Sequence, residues 1–212
     1  MSWISRITSH NPEMTQEEMI NNVDQFVSYF SGYMSSAAMA GILGNMQHES
    51  SGINPGQQEI GYGGSTSHGY GLIQWTPGQT LIDWCTERGF NWYDGDAQLY
   101  RIKCEGENIE GAGGTFFPGT LDGKRYAYTW TQFRNLNNYA DACLAYLAER
   151  ERAGISAIDI RLKYAQNWYN YLVGLPYDPD DPTNPPEPTE QPLYYGAVRD
   201  LMRRGVISNG KL

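Results

Sequence analysis

The sequence predicts a mostly α (α+β) fold, and three observations support this prediction. Apolar residues recur at helical spacing in several segments. Capping residues stand before some of these segments, and the Gly-rich stretches between them show no helical period. A chain of 212 residues is also long enough to bury one core of its own.

The first predicted helix begins at a capping box, because in Thr15-Gln-Glu-Glu18 the Thr side chain caps the backbone and Glu18 reaches back. A second helix is predicted from about residue 35. A third follows Thr76-Pro77, with Pro at the first helical position and a stop at Gly89. Helices are also predicted at 96–105 and on two later apolar stripes, which comprise Tyr139, Ala142, Cys143, Tyr146 and Leu147, and then Ile158, Arg161, Ala165, Trp168 and Leu172.

The remaining segments define the domain organisation. Residues 52–71 favour short strands and turns, and the aperiodic residues 111–126 favour a surface loop. Residues 178–192 form a Pro-rich acidic linker that ends the main domain, residues 1–177. The short C-terminal tail, residues 193–212, is too small for a core. It packs back on the domain, contacts a partner or begins a further domain.

Charge and cysteine usage exclude several classes of protein. With 24 acidic and 15 basic residues, the net charge of -9 argues against nucleic-acid binding and against electrostatic docking on anionic walls or membranes. Binding of an anionic polymer or surface would therefore have to come from a shaped cleft. Cys85, Cys104 and Cys143 lack the spacing of a disulfide framework, and a role as small core residues in a reducing cytoplasm is favoured. We expect neither a secretory signal at the N-terminus nor a membrane-spanning segment.

The end of the second helix carries the first candidate for chemistry. Ile42, Met46 and Glu49 stand at i, i+4 and i+7, so Glu49 continues the apolar stripe and faces inward. A carboxylate there is costly unless it is paired or protonated, and desolvation raises the pKa of a carboxyl group, which suits a general acid. The alternative is a Glu at a fraying helix end that points to water.

A second motif, Gly69-Tyr-Gly-Leu-Ile-Gln-Trp-Thr76, contains two glycines that predict close backbone approach. Alternation along a strand or turn would place Leu72 and Gln74 on one face, and Ile73 and Trp75 on the other. Packed beside the helix end, it would bring Gln74 or Thr76 near Glu49. The candidates for substrate binding are aromatic or polar residues of this region: Tyr62, Tyr70, Gln74, Trp75 and Thr76. The alternatives are an ordinary turn for the glycines and an ordinary core residue for Trp75.

Three motifs in order closely resemble the phage tail lysozyme family. They are Gly41-Ile-Leu-Gly-Asn-Met-Gln-His-Glu-Ser50, Gly52-Ile-Asn-Pro-Gly56 and Gly69-Tyr-Gly-Leu-Ile-Gln-Trp-Thr-Pro77. The pairing of Glu-Ser with Gly-Leu-Ile-Gln is also similar to soluble lytic transglycosylases and goose-type lysozymes. The resemblance implies a lysozyme-like two-lobed fold, with a small β-hairpin beside the catalytic helix.

The same resemblance implies site residues. Glu49 would be the acid, and Gln74 would line the cleft. The family's Glu-Arg-Pro motif is matched most closely by Glu151-Arg152, although Ala153 stands where Pro is usual. The resemblance covers residues 14–172 and leaves the linker and tail outside.

Many glycosidases use a second carboxylate, as base or nucleophile, beside the acid. Glu59 is the main candidate, since it is the only acidic residue between Ser50 and Ile82, and it would hold a water or steady an oxocarbenium-like state. The alternative for Glu59 is a solvated loop residue, and Asp83 is a weaker candidate. If neither serves, one Glu works with the N-acetyl group or the 6-hydroxyl of the sugar, and the latter gives an anhydro product.

Other catalytic machinery is not predicted. His48 and His68 have no partner at metal-ligand spacing, so both are expected on the surface or the polar rim, with no metal and no cofactor. Neither a Gly-x-Ser-x-Gly motif nor a Cys with an evident His partner is present, which argues against amidase and endopeptidase chemistry.

The sequence and the resemblance together predict a glycoside hydrolase of the muramidase type. It would cleave the MurNAc-GlcNAc β-1,4 bond of peptidoglycan from a phage tail tip during entry, and other phage tail proteins are candidate partners. The alternatives are a lytic transglycosylase on the same fold, a lysis-stage endolysin and a non-catalytic tail or wall-binding protein.

Overall fold

The computed structural model describes residues 2–12, 14–113, 116–151 and 157–175. The predicted linker and tail lie outside these residues. The elements in chain order are α1 (Gln16–Phe30), α2 (Ser36–Glu49), α3 (Gln79–Glu87), α4 (Gly95–Glu107), β1 (Gly119–Leu121), β2 (Lys124–Tyr126), α5 (Trp130–Phe133), α6 (Tyr139–Tyr146), a π-helical turn (Leu147–Glu151) and α7 (Ile158–Val173). The described chain is therefore mostly α with a small antiparallel sheet, as predicted.

Local side-chain chemistry sets where the first helices begin. The capping box at Thr15 is confirmed: its hydroxyl accepts from the Glu18 amide at 3.2 Å, and the Glu18 carboxylate accepts from the Thr15 amide at 2.9 Å. Ser35 caps α2, accepting from the Ala38 amide at 3.0 Å. Asp94 caps α4, which extends one residue before and two residues beyond the predicted 96–105. Capping of this kind satisfies amides that have no partner within the helix.

Helix α2 forms the centre of the core. Its residues from Ala37 to Gln47 are all buried, and α6 and α7 pack directly against it. Two glycines allow this close packing. A Cβ on Gly41 would lie 2.6 Å from the Cys143 amide nitrogen, and a Cβ on Gly44 would lie 2.7 Å from the Ala165 amide nitrogen. The position of Glu49, at the end of α2, is therefore set by backbone contacts with two other helices.

Two predictions about the remaining segments are wrong. Residues 111–126 contain the β1–β2 hairpin, in which Thr120 pairs with Arg125 across a two-residue turn of Asp122 and Gly123, both at positive φ. Asp-Gly is a strong hairpin signal. Helix α3 begins at Gln79 after Gly78, so Pro77 is not its first helical residue. By contrast, residues 52–71 do form turns, with isolated bridges in place of regular strands.

The three cysteines lie in the core, as predicted. Cys85, Cys104 and Cys143 are all buried, and none forms a disulfide within the described residues. Burial raises the pKa of the Cys85 thiol to about 11, so it stays protonated at neutral pH. Along the described chain, no helix has both the length and the apolar character needed to cross a bilayer.

Candidate active site

A cleft of about 750 Å³ opens at the C-terminal end of α2. Its walls come from distant parts of the chain: the turns at 57–60 and 73–76, the helices α3 and α4, and the π-helical turn. Three carboxylates line it: those of Glu49, Glu59 and Glu105. The fold thus brings together the two predicted catalytic residues and one carboxylate that was not predicted.

Glu49 lies at the edge of the core and faces this cleft, with 20% of its side chain exposed. Its Oε1 accepts a hydrogen bond from Nη2 of Arg161, a residue of α7 that is 1% exposed. Arg161 also donates from Nη1 to Oδ1 of Asn45, one turn earlier on α2, at 2.9 Å. A carboxylate at this position was expected to be either paired or protonated, and the structure shows it paired with Arg161.

His48 is exposed at the rim of the same cleft, consistent with its predicted position. Desolvation lowers the pKa of the His48 imidazole, and the positive charge of Arg161 lowers it further. His48 is therefore neutral at pH 7, and it places no cation beside Glu49.

Glu59 lies on a turn of the cleft wall, with 42% of its side chain exposed. Its Oε2 accepts from the Gly69 amide at 3.0 Å and contacts Nδ1 of His68 at 3.3 Å. The Glu59 amide donates in turn to the Gly69 carbonyl at 2.8 Å. This carboxylate is therefore held by its neighbours rather than free in solvent.

The segment that carries Gln74 is a tight turn. An antiparallel bridge between Tyr70 and Trp75 closes it, and Gln74 has a φ of 50°. The close approach predicted for the glycines is confirmed: a Cβ on Gly69 would lie 2.6 Å from Oε1 of Gln74, and a Cβ on Gly71 would lie 2.7 Å from Oε1 of Gln98. The reversal of the chain replaces the predicted alternation of faces.

Both polar candidates of this turn line the cleft. The Gln74 amide group donates to the Gly71 carbonyl at 2.9 Å, which fixes its orientation. Thr76 is exposed, and its hydroxyl donates to the Gln74 carbonyl at 3.1 Å. Both remain candidates for substrate contact.

The aromatic candidates are placed differently. Trp75 lines the cleft but is only 4% exposed, so little of its ring is open for stacking against a sugar. Tyr70 is buried against Trp92, with ring centroids 4.9 Å apart, and it does not line the cleft. Tyr62 is exposed, yet its ring stacks on His68 at 3.8 Å outside the cleft lining. The tight turn thus directs the Tyr70 ring into the core, and His68 covers one face of the Tyr62 ring, so neither ring lies along the described cleft.

A buried ion cluster at the base of the cleft was not predicted. Glu105 on α4 accepts from Nε of Arg101 at 2.9 Å, from Nε1 of Trp75 at 2.7 Å and from Nη2 of Arg150 at 2.9 Å. Burial lowers the pKa of Arg101, and the charge of Glu105 opposes that shift. The i, i+4 spacing of Arg101 and Glu105 was the available signal. The cluster joins α4 to the π-helical turn across the cleft.

The structure also bears on the weaker candidates. Asp83 accepts from Nε2 of Gln79 at 2.7 Å on the exposed face of α3 and does not line the cleft. Arg150 lines the cleft, whereas Arg152 of the proposed Glu-Arg match lies outside the described residues. Within the described ranges, His, Cys, Asp and Glu form no group that could hold a metal ion.

Comparison with known proteins agrees with this fold. The sequence profile of the phage tail lysozymes matches residues 21–172, a range that contains the whole cleft lining. The chain is also 29% identical, over 177 residues, to "Morphogenesis protein 1" of Bacillus phage B103. That match covers 78% of this chain and 43% of the phage protein, so the chain spans less than half of its relative. The mostly α fold is thus of the lysozyme-like kind, and the chain belongs to the phage tail lysozyme family.

Proposed function

We propose that this protein is a muramidase that cleaves the MurNAc-GlcNAc β-1,4 bond of peptidoglycan, with Glu49 as the general acid. The observation that carries the proposal is the position of Glu49: it ends a buried helix, faces a cleft of about 750 Å³ and shares that cleft with Glu59. Membership of the phage tail lysozyme family supports a glycan as the substrate.

In the proposed mechanism, Glu49 donates a proton to the glycosidic oxygen as the bond from that oxygen to C1 breaks. A glycan that fills the cleft displaces water from around this carboxyl group. Arg161, through its contact with Oε1, orients the Glu49 carboxyl group. A water molecule then attacks C1 and leaves a reducing MurNAc end, and the proton that this water loses passes to Glu59 or back to Glu49.

Glu59 is proposed to act on that water or to stabilise the positive charge at C1. Glu105 is less suited to this role, since two arginines and an indole already donate to its carboxylate. Asp83 does not line the cleft. Among the carboxylates that line the described cleft, this leaves Glu59 as the one proposed to act beside Glu49.

We place this activity at a phage tail tip, where it would open the wall locally during entry. The family match supports a virion component, as does the similarity to a phage protein named for morphogenesis. Antibody labelling of purified virions would test this placement, and a protein found only in lysates would favour a lysis-stage enzyme.

The experiment that tests the activity is digestion of purified peptidoglycan, followed by mass analysis of the released muropeptides. Wild type should release fragments with reducing MurNAc ends. Glu49→Gln keeps the shape and removes the acid, so we expect a rate lower by roughly 10²- to 10⁴-fold. The matched control is Glu87→Gln, an exposed Glu on α3 away from the cleft, which should retain wild-type activity.

Each outcome has a definite meaning. Anhydro-MurNAc products from wild type would show a lytic transglycosylase, in which the 6-hydroxyl of the sugar replaces water. A folded Glu49→Gln protein with wild-type activity would refute Glu49 as the acid. A folded wild type that cleaves no glycan would favour a binding role for the cleft.

A further inference from the structure

Glu59 is held by residues that its own loop supplies. Its Oε2 receives the Gly69 amide at 3.0 Å and lies 3.3 Å from Nδ1 of His68. Within the described residues no hydrogen-bond donor contacts Oε1, and the Glu59 residue lines the cleft. The carboxylate thus has one anchored oxygen and one oxygen available to a reactant.

The imidazole that contacts Glu59 is itself fixed in place. The Tyr62 ring stacks on it with centroids 3.8 Å apart and an angle of 10° between the planes. The backbone of His68 is held as well, because its amide donates to Ser65 at 3.1 Å and its carbonyl accepts from Gly78 at 2.7 Å. The side chain is two-thirds buried, and this combination restrains its orientation.

We propose that His68 is a positioning residue for the second carboxylate, donating from Nδ1 to Oε2 of Glu59, with Tyr62 holding the imidazole in plane. This inference rests on the proposed function, since it gives Glu59 a defined orientation toward the glycan. The position of the proton on a neutral imidazole is set by the hydrogen bond it makes, so the contact selects the Nδ1–H tautomer. His68 does not line the cleft and acts only through Glu59.

The first test reads the tautomer directly and requires no activity. Imidazole nitrogen chemical shifts, recorded in mildly alkaline buffer, report which nitrogen carries the proton. Wild type should show the proton of His68 on Nδ1, and Glu59→Ala, which lacks the acceptor, should shift the population toward Nε2. A wild-type imidazole with its proton on Nε2 would overturn the inference.

The second test is kinetic and uses a double-mutant cycle. His68→Ala should lower kcat about 10- to 100-fold, the value of a hydrogen bond to a charged group, and should leave KM unchanged. His68→Asn should restore most of kcat, because its side-chain nitrogen occupies nearly the same place as Nδ1. In the Glu59→Gln background, adding His68→Ala should change kcat less than about twofold, since the two residues act as one unit.

The control is His10→Ala, which removes an exposed imidazole away from the cleft. If wild type is active and His68→Ala matches it, or if the loss is equally large in the Glu59→Gln background, the inference fails and the muramidase proposal stands. If folded wild type cleaves no glycan, both fail. If Glu49→Gln lowers kcat and Glu59→Gln does not, Glu59 has no catalytic role. The positioning role of His68 then fails, and Glu49 remains the proposed acid.

Discussion

The buried cluster around Glu105 allows a quantitative prediction for stability. Glu105 is 2% exposed and receives two arginines and the indole of Trp75. In Glu105→Gln the shape is kept, the negative charge is lost, and two buried cations face an amide that carries donors of its own. Breaking a buried ion pair by neutralising one partner costs about 3–5 kcal/mol. For a domain of this size, 1 kcal/mol corresponds to a Tm change of about 2–4 °C, so we expect a decrease of roughly 6–20 °C.

Thermal unfolding followed by far-UV circular dichroism measures this change. Glu87→Gln is the matched control, because its side chain is 73% exposed and surface ion pairs contribute about 0–1 kcal/mol. Its Tm should stay within a few degrees of wild type. A Glu105→Gln protein that unfolds at the same temperature as the control would refute the view that this cluster joins the two sides of the cleft.

Two further predictions concern the helices that carry the site. Burial raises the pKa of Glu149 from 4.5 to about 6, so the folded state loses up to about 2 kcal/mol of stability as the pH rises through that range. Glu149→Gln should remove this loss, and urea unfolding of both proteins at several pH values would test it; equal pH dependence would contradict the assignment. Gly44→Ala should destabilise by about 1–3 kcal/mol and lower activity, because the added Cβ meets the backbone of α7; a gain of about 1 kcal/mol from helix propensity would contradict this.

The position of Glu49 was predictable because it depends on a local pattern. The apolar period of α2 continues into Glu49, and that period is a property of the neighbouring residues alone. Its partner was also visible in part, since Arg161 stands on the apolar stripe of α7. Glu49 and Arg161 compensate each other's charge. They are 112 positions apart in the sequence, so their pairing becomes evident only in the tertiary structure.

The remaining errors have three physical causes. The β1–β2 hairpin was missed because strands of three residues are too short to show alternation, although the Asp122-Gly123 turn was readable. The predicted alternation of faces along residues 70–75 does not hold, because a tight turn with positive φ at Gly71 and Gln74 reverses the chain there. The Glu105 cluster joins residues up to 45 positions apart, and only its Arg101–Glu105 pair, at i, i+4, is encoded in a local pattern.

Because Glu49 contacts Arg161, the site can be completed only late in the synthesis of the chain. The arginine belongs to α7, so a ribosome must translate more than a hundred residues after Glu49 before the partner exists. Until α7 docks, Gly44 lacks its neighbour and the carboxylate lacks its cation. A nascent chain that ends before Ile158 therefore carries every residue of the cleft lining and still lacks the arrangement that orients its acid. Assembly of the site is in this sense a late event, tied to the last described helix.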